Sequence, residues 1–203
     1  MWRNGRVYEL QTFPGDPDGW AFGINESDQV VGASGVCSAL NPQTGVYVES
    51  RHPLLWDNGR MIDLKGLGGS GSVGPGNIAG AINNRGEVIG TSDLPDDTTF
   101  HGFLWTVRSG AKDLNTLKGD FASAALGIND LGEVVGVSFD QTFQFPRAFL
   151  WRNGEMLDLN ELAPQSPLYL LFAHGINDRG EIVGFGVDSA GNVHAFQAIP
   201  LHR

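Results

Sequence analysis

Ala173-His174-Gly175-Ile176-Asn177-Asp178-Arg179-Gly180-Glu181-Ile182-Val183-Gly184 is one of four versions of a single stretch. The others run from Ala21 to Gly32, from Ala79 to Gly90 and from Ala125 to Gly136. Self-similarity at a near-constant period marks a repeat architecture and takes precedence over local propensity. Each copy joins two short apolar runs through a polar link that opens on Asn25, Asn83, Asn129 or Asn177. The link closes on Gly86, Gly132 or Gly180, and on Asp28 in the first copy. Glycine is the residue that enters the left-handed region without penalty, and Asp tolerates it, so this position is expected to be left-handed. The Asn side chain is expected to accept a hydrogen bond from the backbone two residues on, fixing the turn.

A second motif lies between these copies. Trp151-Arg152-Asn153-Gly154 is nearly repeated as Trp56-Asp57-Asn58-Gly59 and matches Trp2-Arg3-Asn4-Gly5. Asn-Gly between apolar stretches predicts a tight hairpin. The strand before it begins at His52, His101, Arg147 or His194 and is apolar on successive positions, as a strand covered on both faces reads. The strand after it ends Asp-Leu at 63–64, 113–114 and 158–159, and residues 6–10 match it. Each unit therefore reads as four short strands A, B, C and D. The stretch 35–51 reads as a long polar loop between B and C of the first unit.

The chain thus begins in the middle of a repeat. The predicted architecture is all-β: a four-bladed β-propeller with four antiparallel strands per blade. The blades are expected at about 20–67, 78–117, 124–162 and 172–200, the last closed by the N-terminal strand within residues 1–13. A β-sandwich and an open array, which would need polar end caps, are the competing arrangements.

The chain also resembles a known repeat. Gly175 to Gly184, Phe149-Leu150-Trp151-Arg152-Asn153-Gly154 and His194-Ala195-Phe196 look like the HAF repeat, described as a probable extracellular repeat. The resemblance covers nearly the whole chain and implies no activity. The departures are Arg147 in place of His, and Gln197-Ala198 in place of Leu-Trp.

Composition narrows the function classes. The 203 residues suit one domain with a sizeable core; 41% are hydrophobic and 29 are glycine. The formal net charge of -10 argues against nucleic acid and anionic membranes as partners. The single cysteine, Cys37, leaves no intrachain disulfide to form. The N-terminus shows no secretion signal, which suggests a cytoplasmic protein, or an extracellular one whose leader has been removed. A monomer is the default expectation.

On a propeller the long, dissimilar D–A and B–C loops share one face, where binding residues are expected. Trp20, Phe22, Phe172 and His174 break the sameness of the A strands and are the predicted ligand contacts, lining a central funnel. The first functional reading is a binding module for a small molecule, a glycan or a partner protein. The second is a cofactor-independent lyase, isomerase, cyclase or hydrolase using His174 as acid/base with Asp188 or Asp140 assisting. No cofactor or metal is implied: the residues His52, His101, Arg147 and His194 begin strands too far apart to share an ion, and each is expected to cap a local backbone group. A cation on the channel axis, held by A-strand carbonyls, would leave no mark in the sequence.

Overall fold

The computed structural model describes residues 5, 7–41 and 45–201. It is all-β, with four antiparallel sheets that follow one another along the chain. The first holds β1 (Asp18–Ile24), β2 (Val30–Asn41), β3 (Gly45–Asp57) and β4 (Arg60–Asp63). The second holds β5 (Ile78–Ile82), β6 (Val88–Asp93), β7 (Phe100–Thr106) and β8 (Gly110–Asp113). The third holds β9 (Ala122–Ile128), β10 (Val134–Phe139), β11 (Arg147–Arg152) and β12 (Glu155–Asp158), followed by one short helix, α1 (Leu159–Leu162). The fourth has only three strands, β13 (Tyr169–Ile176), β14 (Ile182–Val187) and β15 (Val193–Ala198).

The turns form as their residues dictate. Asp28, Gly86, Gly132 and Gly180 have φ of 60°, 76°, 81° and 74°. Asn58-Gly59 and Asn153-Gly154 have positive φ at both positions, as a hairpin matched to strand twist requires. The A strands each carry a bulge, and the extra residue is Phe22, Gly80, Leu126 or His174. Beside the bulge, an added Cβ at Gly32, Gly90, Gly136 or Gly184 would collide with the carbonyl oxygen of Trp20, Ile78, Ala124 or Phe172. That close approach accounts for the invariant glycine of the B strands within this chain.

Packing is sequential, with β1 against β5, β5 against β9 and β9 against β13. One junction design is used three times. Val31 and Leu55 of the first sheet meet Ala79, Val88, Phe103 and Trp105 of the second. Ile89 and Leu104 meet Ala125, Val134, Phe149 and Trp151; Val135 and Leu150 meet Ala173, Ile182, Phe196 and Ala198. These buried and half-buried side chains are predominantly apolar, and their removal from water is the main stabilising contribution. The design does not recur between the fourth sheet and the first. Ala21 is exposed where Ala79, Ala125 and Ala173 are buried, and Val183 is 49% exposed where Val31, Ile89 and Val135 are each at 0%.

Two expectations are corrected here. Among the described residues no N-terminal strand joins the fourth sheet: residues 7–10 form no strand, and Val7 and Tyr8 are 86% and 75% exposed. Met1 to Asn4 and Arg6 lie outside the described residues. Phe13 N–H donates to Ser34 Oγ at 3.2 Å and Trp56 Nε1 donates to the Gln11 carbonyl at 2.8 Å, both on the first sheet. The polar loop expected at 35–51 is instead mostly a hairpin, with Gly35 opposite Ser50, Cys37 opposite Val48 and Asn41 opposite Gly45. Val36, Val46, Tyr47 and Val48 supply β-branched and aromatic residues that favour a ladder, whatever the polarity of their neighbours.

Candidate functional site

The A–B turns lie at one rim of the molecule. Asn25, Asn83, Asn129 and Asn177 each accept a bond at Oδ1 from the backbone N–H two residues on, as the sequence predicts. The amide nitrogens of the first three reach the next unit. Asn25 Nδ2 donates to the Asn83 carbonyl at 3.0 Å, Asn83 Nδ2 to Asn129 at 2.9 Å, and Asn129 Nδ2 to Asn177 at 3.0 Å. Together with the isoleucines before them, these residues border a shallow concavity of about 550 Å³. None of Trp20, Phe22, Phe172 and His174 lines it.

The opposite face, built by the ends of the B strands and the long loops, carries a continuous aromatic surface. Phe172 stacks on Phe185 with centroids 4.8 Å apart, and His174 stacks on both, at 5.9 and 5.5 Å. Phe172 also meets Phe139 edge-on at 6.0 Å. Phe139 lies 5.3 Å from Phe143, which in turn lies 6.1 Å from Phe100 and 6.5 Å from Phe121. The surface thus spans the second, third and fourth sheets. Its polar borders are set by turns: Asp140 accepts bonds from Thr142 N–H and Oγ1 at 3.1 and 3.0 Å.

Phe143 is the most constrained member. It holds φ of 57°, a region that a bulky residue rarely enters, and its ring remains 46% exposed. The Asp140 turn sets this conformation, with Phe143 N–H donating to the Asp140 carbonyl at 3.2 Å. Next to it, Phe145 is 63% exposed.

The structure brings two of the four predicted contacts together. Phe172 and His174 belong to the aromatic surface; Trp20 and Phe22 sit on β1 of the first sheet, and among the described residues no ring contact joins them to it. Phe22 is 53% exposed. Both His174 and Phe22 are bulge residues, so their side chains are aimed by the bulge and not by simple strand alternation. Sequence reasoning missed Phe100, Phe121, Phe139, Phe143 and Phe185. The available signal was the set of apolar rings at 139, 143 and 145 in a stretch otherwise read as a loop.

The residues of the enzyme reading each have partners of their own. Asp188 pairs with His194, whose Nε2 lies 3.1 Å from Oδ2, and it accepts bonds from Asn192. The backbone and side-chain N–H groups of Asn192, then His194, hold the Asp188 carboxyl well below the usual carboxylate range. His174 lies beside Gly184 in the ladder, so along β14 the separation from Asp188 is on the order of 15 Å. No hydrogen bond or ion pair joins His174 to a carboxylate among the described residues.

The residues that begin the C strands pair with carboxylates, and among the described residues only Arg147 also meets a backbone group as expected, its Nη2 donating to the Lys118 carbonyl at 3.2 Å. His101 Nδ1 lies 3.0 Å from Asp113, and Arg147 spans Asp120 and Asp158 at 2.9 Å each. His52 Nδ1 lies 2.7 Å from Asp16, beneath the stacked ring of Phe13 at 3.8 Å. Ser34 Oγ donates to the same Asp16 oxygen at 2.6 Å, so the carboxylate separates Ser34 from His52 and no nucleophile–base contact forms. Among the described residues, no group of three or more His, Cys, Asp or Glu is placed to hold a metal ion. No protein-family model matches the chain, and no curated protein matches it.

Proposed function

We propose that the four sheets are consecutive blades of a propeller-type arrangement built from HAF-type repeats, and that the long-loop face is a binding surface. Its ligand presents a flat apolar face, and the sugar ring of a glycan is the class that fits best. The observation that carries this reading is the aromatic surface running from Phe121 through Phe143, Phe139 and Phe172 to Phe185. Aromatic faces that stay partly open to water, Phe143 most of all, bury area on a ring-shaped ligand at little conformational cost. The Phe143 backbone supports the same reading, since left-handed strain in a bulky residue persists where surrounding structure imposes it, and such sites cluster at ligand clamps. Stacking of this kind requires no cofactor, and the net charge of -10 disfavours phosphate-rich partners.

The test is calorimetric titration of the chain with a panel of soluble oligosaccharides. Phe143→Ala and Phe172→Ala are each expected to weaken binding about tenfold. Val107→Ala, in the exposed C–D turn of the second sheet, leaves affinity unchanged. Absence of binding across the panel, or affinity that survives both phenylalanine substitutions, overturns the proposal.

A further inference from the structure

The two ends of the row are complementary. The first sheet presents Ala21 exposed, at the position that Ala79, Ala125 and Ala173 occupy in the three buried junctions. The fourth presents Val183, 49% exposed, at the position of Val31, Ile89 and Val135. At the Asn rim every Asn Nδ2 donates within its own turn, to Gln29, Glu87, Glu133 or Glu181, and the added cross-unit bonds run from Asn25 to Asn129, with none from Asn177 among the described residues.

The edge of the fourth sheet carries the same message. In the second and third sheets, Ala111 of β8 and Met156 of β12 pack into the junction with the preceding sheet. Among the described residues the fourth sheet has no such strand, and an apolar cleft of about 400 Å³ lies beside β15 instead. Leu150, Leu159, Ile182 and Ala198 are among the residues that line it. By sequence register the residue that corresponds to Ala111 and Met156 is Val7, which projects from the first sheet and is 86% exposed. Its own chain does not deliver it to the cleft. Phe13 N–H is held by Ser34 Oγ on the first sheet, just as Leu67 and Leu117 N–H are held by Ser92 and Ser138 at the internal junctions.

We infer that the occupant of both ends is a second copy of this chain, docked head to tail. Residues 7–10 of one copy pair with β15 of the next and seat Val7 in the cleft, while its Ala21 face covers the Val183 face. The contact is a fourth use of the junction already present three times within the chain, and such a heterologous contact generates rings or open rows. It also brings β1 of one copy beside β13 of the next. Trp20 and Phe22 of the docked copy then stand next to Phe172 and His174, completing an aromatic site that one chain holds only in part. The inference rests on reading the sheets as consecutive blades, not on the identity of any ligand.

Sedimentation of the full chain over a wide concentration range tests it. The expected mass rises from 21.8 kDa to multiples of that value. Val7→Asp blocks the donating end and Val183→Glu the accepting end; both positions are exposed in the isolated chain, and each substitution is expected to weaken self-association at least about a hundredfold. An equimolar mixture of the two variants keeps one intact junction and forms a two-chain complex that grows no further. A mass of one chain at every concentration, self-association that survives either substitution, or a mixture that fails to pair overturns the inference. Ligand binding is not read in this experiment, so failure here and failure of the glycan reading are separate results.

Discussion

The side-chain amide of Asn129 donates to the main-chain carbonyl of Asn177, 3.0 Å away and one whole unit further along the chain. The same Oδ1 and Nδ2 that fix a local turn therefore also tie neighbouring sheets together. Asn129 is buried and bonded on both sides, so Asn129→Ala is expected to cost about 2–3 kcal/mol in chemical denaturation, with an orphaned carbonyl adding to the lost bonds. Asn177 makes the same turn at the exposed end, and Asn177→Ala costs less than about 1 kcal/mol when the chain is dilute and monomeric. Equal costs would show that the cross-unit bond contributes nothing.

The B-strand glycines separate steric need from composition. Gly136→Ala places a methyl group against the Ala124 carbonyl and the Phe149 ring and is expected to cost about 3 kcal/mol or more. Gly80→Ala meets nothing closer than 3.9 Å and changes stability by no more than about 0.5 kcal/mol. Thermal melts of both variants check the pair.

Arg147 shows how a departure from the repeat is accommodated. Its guanidinium lies 2.9 Å from both Asp120 and Asp158, whose side chains are 5% and 8% exposed. Arg147→Ala leaves two buried carboxylates without a counter-charge and is expected to cost about 2–4 kcal/mol, allowing for the partial exposure of the guanidinium. Arg147→Lys recovers only part of this, because one ammonium cannot span both partners as the fork does.

Much of this was legible in the sequence, because the information was local. Asn-Gly hairpins, left-handed glycines and the A–B–C–D order follow from a few residues and their spacing, and Asp28 took the left-handed place of Gly86 as expected. The cross-unit reach of Asn83 or Asn129 was not legible, since nothing in a turn motif states what lies opposite it. Nor was the aromatic surface, whose members come from five separate stretches and meet only once sheets pack. The position of residues 7–10 was misread because a strand pattern names its preferred register but not the copy of the sheet that offers it.

Asp93 links burial to pH. Its Oδ1 is buried without a hydrogen-bond partner while Oδ2 accepts from Val73 N–H at 2.8 Å, and burial raises its pKa above the usual carboxylate value. The folded chain therefore holds this proton at pH values where the unfolded chain has released it. Asp93 thus favours the folded state at low pH, and that contribution is lost as pH rises through the raised pKa. Asp93→Asn removes this pH dependence and does not destabilise the protein at neutral pH. Denaturation curves for both proteins at a series of pH values provide the check; a neutral-pH loss in the variant would mean that the ionised carboxylate is needed.

The claim that organises this account is that the loop face, and not the Asn rim, is where the protein meets its ligand. Backbone amide chemical shifts followed by NMR during titration with the tightest oligosaccharide of the panel test it residue by residue. The account predicts shifts at residues 139–146, 172–174 and 185. Shifts confined to Asn25, Asn83, Asn129 and Asn177 on the opposite rim would contradict it.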